Sequence, residues 1–159
     1  MARTITRDNL GAWLIKAAPD TGIDLPAIVE RGGQRVTSRC VARGYRSRLM
    51  AEGDVVLLWV SGDGRRLARG IWGVGHVVGP VHDDGDDTIG GSEVPLDIPL
   101  LADAVPAGAL VAAGIDDLEV QRMPQGSNPS WVSKEQLARI APLLPPEAGQ
   151  VVAAANWAL

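Results

Sequence analysis

The chain has 159 residues, of which 46% are hydrophobic and 21% are charged. This balance fits one compact domain with a core of its own and excludes a disordered or fibrous chain. Cys40 is the only cysteine, which excludes an internal disulfide and a thiolate-rich metal centre. No apolar stretch approaches the roughly 20 residues that a membrane-spanning helix needs. We therefore expect a cytoplasmic protein that does not enter a membrane, and the sequence indicates no cofactor.

The net charge is −4, but the positive charge is concentrated in the first half of the chain. Residues 1–70 carry twelve Lys/Arg against seven Asp/Glu, whereas residues 71–159 carry three against twelve. Thirteen of the fifteen basic residues are arginine, which binds phosphate bidentately. A genome that favours arginine codons would explain their number but not their clustering between positions 31 and 48. The sequence predicts a phosphate-binding face formed by Arg35, Arg39, Arg43, Arg46 and Arg48.

In chain order, a first strand is predicted at residues 13–15, ending in a turn at Pro19. Asp24 before Leu25 and Pro26 predicts the start of a short helix that Gly32 ends. Residues 34–38 form a plausible second strand. The stretch 41–50 fits either a loop or an irregular helix.

The clearest strand is residues 55–60, whose unbroken apolar character predicts burial on both faces. A further strand is predicted at residues 69–78. Strict alternation would place Trp72, Val74, His76 and Val78 on one face and Ile71, Gly73, Gly75 and Val77 on the other. Two glycines on one face indicate a barrel bend or the close approach of another segment.

Residues 80–92 read as an acidic, glycine-rich loop, and residues 93–101 as a strand that Pro95 and Pro99 place at the edge of a sheet. One or two helical turns are expected at 106–113, ended by Gly114. Ser133 and Gln136 form a capping box that opens the best-defined helix, which stops at residues 145–146. The tail 145–159 fits either a packed helix or a loose end.

Short strands separated by turns, with a few short helices between them, predict a barrel-like α+β domain. A parallel βαβ sheet is less expected, because long helices between the strands are missing.

Four segments, in order, resemble the EVE family, which belongs with the PUA-like folds and is related to YTH and ASCH domains. They are residues 12–20 (AWLIKAAPD), 50–61 (MAEGDVVLLWVS), 69–77 (RGIWGVGHV) and 122–130 (RMPQGSNPS). The resemblance implies a single domain over residues 1–159: a PUA-like curled β-barrel with short peripheral helices, its core at about 11–144 and a C-terminal tail at 145–159.

By this resemblance the chain is a non-catalytic module that recognises a modified base, for example a methylated one, in DNA or RNA. Partner proteins of RNA-modification or restriction systems are implied as well. Two departures from the family bear on the ligand: Ala17 and Ala18 stand where relatives often carry Ser and Glu, and Val36 stands where YTH domains place a tryptophan of the base-holding cage.

A base pocket needs aromatic planes for stacking and small polar groups that read the edge of the ring. Thr37, Ser38 and the Ser127-Asn128 pair are the residues that the resemblance favours most for reading the edge. Trp59 is better explained as a core residue, and Trp131, among polar residues before a helix, is expected to be exposed. The full predicted pocket comprises Trp13, Lys16, Val36, Thr37, Ser38, Trp59, Ser61, Ser127, Asn128 and Trp131.

Other interpretations are weaker. Cys40 with His76 or His82 could form a nucleophile and base, but the sequence offers no third group to orient them. The acidic residues 83–87 lack the spacing of a calcium loop, and Gly73-Val74-Gly75 is followed by Pro80 where a dinucleotide-binding helix should begin. The alternative function is a small-molecule or protein-binding module of the same fold that does not read base modification.

Overall fold

The computed structural model describes residues 4–17, 35–61, 68–83, 91–124, 126 and 128–154. The helix expected after Asp24 lies outside the described residues, as do residues 84–90 of the acidic loop.

Seven strands form one mixed sheet. They are β1 (Leu10–Ala17), β2 (Arg35–Ala42), β3 (Val55–Val60), β4 (Gly70–Val77), β5 (His82–Asp83), β6 (Gly91–Pro106) and β7 (Ser130–Ser133). Their order is β2-β6-β4-β3-β1-β7, and β5 pairs with β6. The pair β1 and β3 is parallel, and the other pairs are antiparallel. The predicted α+β class is confirmed.

Short helices accompany this sheet. They are α1 (Tyr45–Leu49), α2 (Ala107–Ala112), α3 (Glu119–Arg122), α4 (Lys134–Ile140) and α5 (Pro146–Ala153), with a 3-10 turn at Ala141–Leu143. The predicted capping box is confirmed: Ser133 Oγ accepts from the Gln136 amide at 3.2 Å, and Gln136 Oε1 accepts from the Ser133 amide at 2.9 Å. Within the part of the chain that the structure describes, no helix has both the length and the apolar character to cross a membrane.

The sheet buries both of its faces, and β3 shows this best. Leu57 and Trp59 belong to an apolar layer that the helices cover, through residues such as Leu110, Leu137 and Ile140. Val56 and Leu58 point into a second layer, enclosed by the curl of the sheet. All six residues of β3 are buried, so the prediction of burial on both faces is confirmed.

The prediction that residues 93–101 lie at a sheet edge is wrong. They belong to β6, which pairs with β2 on one side and β4 on the other. Both ladders contain a register shift near the prolines, between Val36 and Ser38 in one and between Ile71 and Gly73 in the other. Such irregularities tolerate a missing N–H donor inside a sheet, which explains why Pro95 does not force an edge position.

The same irregularity changes the faces of β4. Ile71 packs in the same layer as Val74, whereas Val77 packs in the other layer. Strict alternation along β4 is therefore wrong, because the register shift after Ile71 rotates the strand by one position. The close approach indicated by the glycines is confirmed: a Cβ on Gly75 would lie 1.9 Å from the Asp97 carbonyl oxygen.

The two ends of the sheet meet beside Asn128, which makes the sheet curled. The amide of Ala42, the last residue of β2, donates to the Asn128 carbonyl oxygen at 2.8 Å. The Asn128 side chain accepts from the Lys16 amide at 2.8 Å and donates to the Lys16 carbonyl at 3.0 Å. Asn128 thus connects β1 to β2, the strand at the far end of the sheet.

Candidate ligand-binding cleft

Three residues of the predicted pocket fill the core. Trp13 is fully buried and donates from Nε1 to Asp54 Oδ2 at 2.9 Å. Trp131 lies opposite it on β7 and is 7% exposed, so the expected exposure of Trp131 is wrong. The strand pairing of β7 turns its side chain inward, where Val36 also packs. None of the three lines either of the two cavities described below.

Trp59 and Ser61 lie beside a different cavity, a groove of about 560 Å³. Its other lining residues are Arg69, Ala107, Gly108, Val111, Val120, Gln121 and Pro124. Trp59 itself is 5% exposed and belongs to the helix-covered layer, as the core interpretation predicted.

Lys16 and Asn128 come together as the sequence analysis expected, but they bond to each other. Both polar atoms of the Asn128 amide are engaged by the Lys16 backbone. The Lys16 ammonium donates to the Gly126 carbonyl, and its burial lowers its pKa. Asn128 therefore fixes the loop before β7 and has little capacity left to read a ligand.

Thr37 and Ser38, the other predicted edge-reading residues that the structure describes, do not line either of the two cavities. Thr37 is exposed and Ser38 half-buried, both on β2. Ser127 lies outside the described residues.

A cleft of about 340 Å³ lies next to Asn128, between α1 and the segment that begins at α3. We call it the α1–α3 cleft. Its walls carry two exposed apolar side chains, Tyr45 at 46% and Met123 at 57%, and these are two of the four large exposed hydrophobic residues in the described chain. The lining residues are Ala42, Arg43, Gly44, Tyr45, Arg46, Glu119, Met123, Gly126, Asn128 and Pro129.

An ion pair joins the two sides of the α1–α3 cleft. Arg46 donates from Nη1 to Glu119 Oε1 at 2.7 Å and from Nη2 to Glu119 Oε2 at 2.8 Å. Nη1 also donates to the Pro129 carbonyl at 3.0 Å, and the Ser130 hydroxyl donates to Oε1 at 2.9 Å. Burial opposes ionisation of Glu119, but the bonds from Arg46 and Ser130 outweigh it, so the pKa of Glu119 lies below its ordinary value.

The predicted phosphate-binding arginines differ in exposure. Arg35, Arg43 and Arg48 are exposed, and Arg43 lines the α1–α3 cleft. Arg35 forms a surface ion pair with Asp97 at 2.6 Å, whereas Arg46 is half-buried and bonded to Glu119.

Arg39 turns toward the Lys16 carbonyl, to which it donates at 3.3 Å. Its Nε is the one buried side-chain nitrogen or oxygen without a hydrogen-bond partner among the described residues. Burial lowers the pKa of this guanidinium. Arg39 is therefore turned into the protein, and Arg46 is held by Glu119. Of the predicted arginines at the α1–α3 cleft, Arg43 and Arg48 are the best placed to meet a phosphate from solvent.

Sequence reasoning missed Tyr45, Glu119 and Met123. Tyr45 is the only tyrosine and stands between Arg43 and Arg46, and an aromatic residue among arginines is the pattern that could have identified it. Glu119 and Met123 carry no such local signal.

The residues considered for nucleophilic chemistry occupy neighbouring strands. Cys40 on β2 and His82 on β5 both lie opposite Glu93 on β6, so β6 separates the thiol from the imidazole. Across the ranges that the structure describes, no group of three or more His, Cys, Asp or Glu residues is arranged to hold a metal ion.

Comparison with protein-family models gives no match for the chain, and comparison with curated proteins gives none either. A solved structure is similar: the NMR structure of Rpa0253 from Rhodopseudomonas palustris, with a TM-score of 0.57 and 20% sequence identity. The similarity covers 83% of this chain and 91% of that one. At this identity the likeness concerns the fold alone.

Proposed function

We propose that this chain is a non-catalytic nucleic-acid-binding module of PUA-like fold, which holds one modified base in the α1–α3 cleft beside a cationic surface. The observation that carries the proposal is the pairing, in one cleft, of an exposed aromatic ring with an arginine at the rim. Tyr45 offers a ring for stacking and Arg43 a positive charge for phosphate, and binding a nucleotide uses both.

The cleft has the size and walls that a planar ring requires. Its volume of about 340 Å³ is in the range of small-ligand sites. The Tyr45 ring offers a stacking surface, and base–aromatic stacking contributes about 1–3 kcal/mol per base. Met123 on the opposite wall adapts its shape to a ring and to a methyl group on that ring.

The charges around the cleft suit a polyanion that passes its rim. Arg43 lines the cleft, and Arg48 lies on α1 beside it. These two exposed arginines attract phosphate to this face of a chain whose net charge is −4. Binding that depends on a few arginines weakens as salt rises, through counterion release.

The chemistry of the cleft favours binding over catalysis. Its carboxylate, Glu119, is ionised and bonded to Arg46 and Ser130. A pKa below the ordinary value makes Glu119 a poor proton acceptor and donor near neutral pH. It acts in this cleft as a fixed negative charge.

Fluorescence anisotropy with labelled single-stranded DNA and RNA tests the proposal. Each strand would carry one methylated or hydroxymethylated base, or its unmodified counterpart, and salt would be varied. We expect tighter binding of at least one modified strand and weaker binding at higher salt. Tyr45→Ala should raise Kd by about 5-fold or more through lost stacking, Tyr45→Phe should bind like the wild type, and Arg43→Ala should reduce the salt dependence.

Arg69→Ala is the matched control for Arg43→Ala, because Arg69 is an exposed arginine outside the α1–α3 cleft. Equal binding of modified and unmodified strands would end the claim of modification reading. If free nucleosides raise the melting temperature while no strand binds, the chain is a small-molecule-binding module instead.

A further inference from the structure

The hydrogen bonds of Glu119 leave one acceptor position open. A carboxylate offers about four acceptor positions over its two oxygens. Oε1 takes Arg46 Nη1 and the Ser130 hydroxyl, whereas Oε2 takes Arg46 Nη2 alone among the described residues. The Glu119 side chain is 13% exposed. Because two partners cover Oε1, a ligand in the cleft reaches Glu119 at Oε2.

An open position on a charged oxygen is selective for donors. An N–H group placed there makes a charge-assisted hydrogen bond, which is stronger than a neutral one. A nitrogen whose hydrogens are all replaced by methyl groups, or a carbonyl oxygen, cannot donate in the same place, and it buries the carboxylate oxygen without compensation. Ala42, Met123 and Pro129 also line the cleft and offer apolar surface to a methyl group elsewhere on the ring.

The geometry points to Glu119 as a specificity-determining residue that accepts a hydrogen bond from an N–H on the base-pairing edge of the bound ring. This inference rests on the proposed function, and it narrows the ligand class. The modification that the cleft accommodates lies on an edge other than the pairing edge. Because pairing occupies that N–H in a duplex, the base enters the cleft unpaired.

Isomeric ligands test this without altering the protein. Two single strands that differ only in carrying 5-methyluracil or 3-methyluracil have the same composition, but the second lacks the ring N–H. A second pair, which is not isomeric, carries 5-methylcytosine or N4,N4-dimethylcytosine; the latter has one methyl group more and lacks the amino hydrogens. We expect the wild-type protein to bind the 5-methyl member of each pair about 10-fold tighter or more, and annealing a complementary strand to abolish this binding.

Glu119→Gln tests the residue itself. Arg46 would hold the amide oxygen and turn the amide N–H₂ toward the ligand, so a donor would face a donor. We expect the 5-methyl ligands to lose about 10-fold in affinity and the N-methylated ligands to be unchanged. Glu135→Gln is the matched control, because Glu135 is an exposed glutamate on α4, away from the cleft. Circular dichroism would establish that each variant is folded.

The outcomes separate this inference from the proposed function. If the wild type binds single strands but does not distinguish the isomers, the role of Glu119 is wrong and base binding stands. If no strand binds under any condition, both are wrong. Should Glu119→Gln fail to fold, the isomer comparison with the wild-type protein still decides the question.

Discussion

Replacing Asp54 with alanine would remove the acceptor that holds three separate segments together. The buried Asp54 carboxylate accepts from Trp13 Nε1 at 2.9 Å and from the Ala51 amide at 2.9 Å. Arg7 donates to its two oxygens at 2.8 and 2.6 Å, and this contact raises the pKa of Arg7. A strand, a turn and the N-terminal segment therefore meet at one side chain.

The size of the effect follows from what each donor loses. Trp13 is fully buried, so its indole N–H would lack a partner at a cost of about 1–3 kcal/mol. Ala51 is exposed, and water would replace its bond. The Arg7 side chain is 54% exposed, which limits its ion pair to about 1 kcal/mol or less. We expect Asp54→Ala to lower the free energy of unfolding by about 3 kcal/mol.

Urea unfolding, followed by tryptophan fluorescence and circular dichroism, measures this change. Asp116→Ala is the control, since Asp116 is an exposed aspartate, and it should change stability by about 0.5 kcal/mol or less. In a Trp13→Phe background there is no indole N–H to leave unpaired. There the cost of Asp54→Ala should fall by about 1–2 kcal/mol.

Two results would refute this reasoning. One is an Asp54→Ala variant as stable as the Asp116→Ala control. The other is a double-mutant cycle without coupling between Asp54 and Trp13, which would show that the indole N–H finds another partner.

Three further predictions concern the cleft and the sheet. The pKa of Glu119 is lower in the folded protein than its ordinary value near 4.5, so ionised Glu119 stabilises the fold fully above that value, and this stabilisation is lost as pH falls through the lower folded pKa. Glu119→Gln should therefore flatten the acid part of the stability profile, as measured by unfolding curves at different pH. An unchanged profile would contradict this. Asn128→Ala should cost about 1–3 kcal/mol and speed hydrogen exchange of the Lys16 amide, which is bonded to the Asn128 side chain; unaltered exchange would show that this connection is dispensable. Gly75→Ala should cost about 3 kcal/mol or more, because its Cβ would overlap the Asp97 carbonyl, while Gly108→Ala, with open space around it, should melt at or above the wild-type temperature.

The elements that the sequence predicts well are those specified by neighbouring residues. The apolar run 55–60 is itself a buried strand, and the Ser133 capping box lies within four residues of chain. Both depend on local chemistry and not on what the segment packs against.

The elements that the sequence predicts poorly depend on distant partners. β6 lies inside the sheet because it pairs with β2 on one side and β4 on the other. Its prolines, taken alone, predict an edge strand, and that prediction is wrong. The irregularity after Ile71 in β4 is set by the opposing strand. Neither can be read from a single segment.

The candidate site shows the same limit. Arg46 and Glu119 are 73 positions apart, and only the closure of the sheet brings them together. The arginine cluster is visible in the sequence, but the fold decides which acid each arginine meets. Arg46 is bonded to Glu119 and Arg35 to Asp97, and composition could not assign those partners.

The parallel pairing of β1 and β3 determines where ligand contacts can change most easily. Parallel neighbours require the chain to cross back over the sheet between them, and β2 and α1 are part of that return path. Arg43 and Tyr45 therefore sit on a connection anchored at both ends by fully buried strands. Substitutions along this connection can remodel recognition while the scaffold beneath keeps its packing.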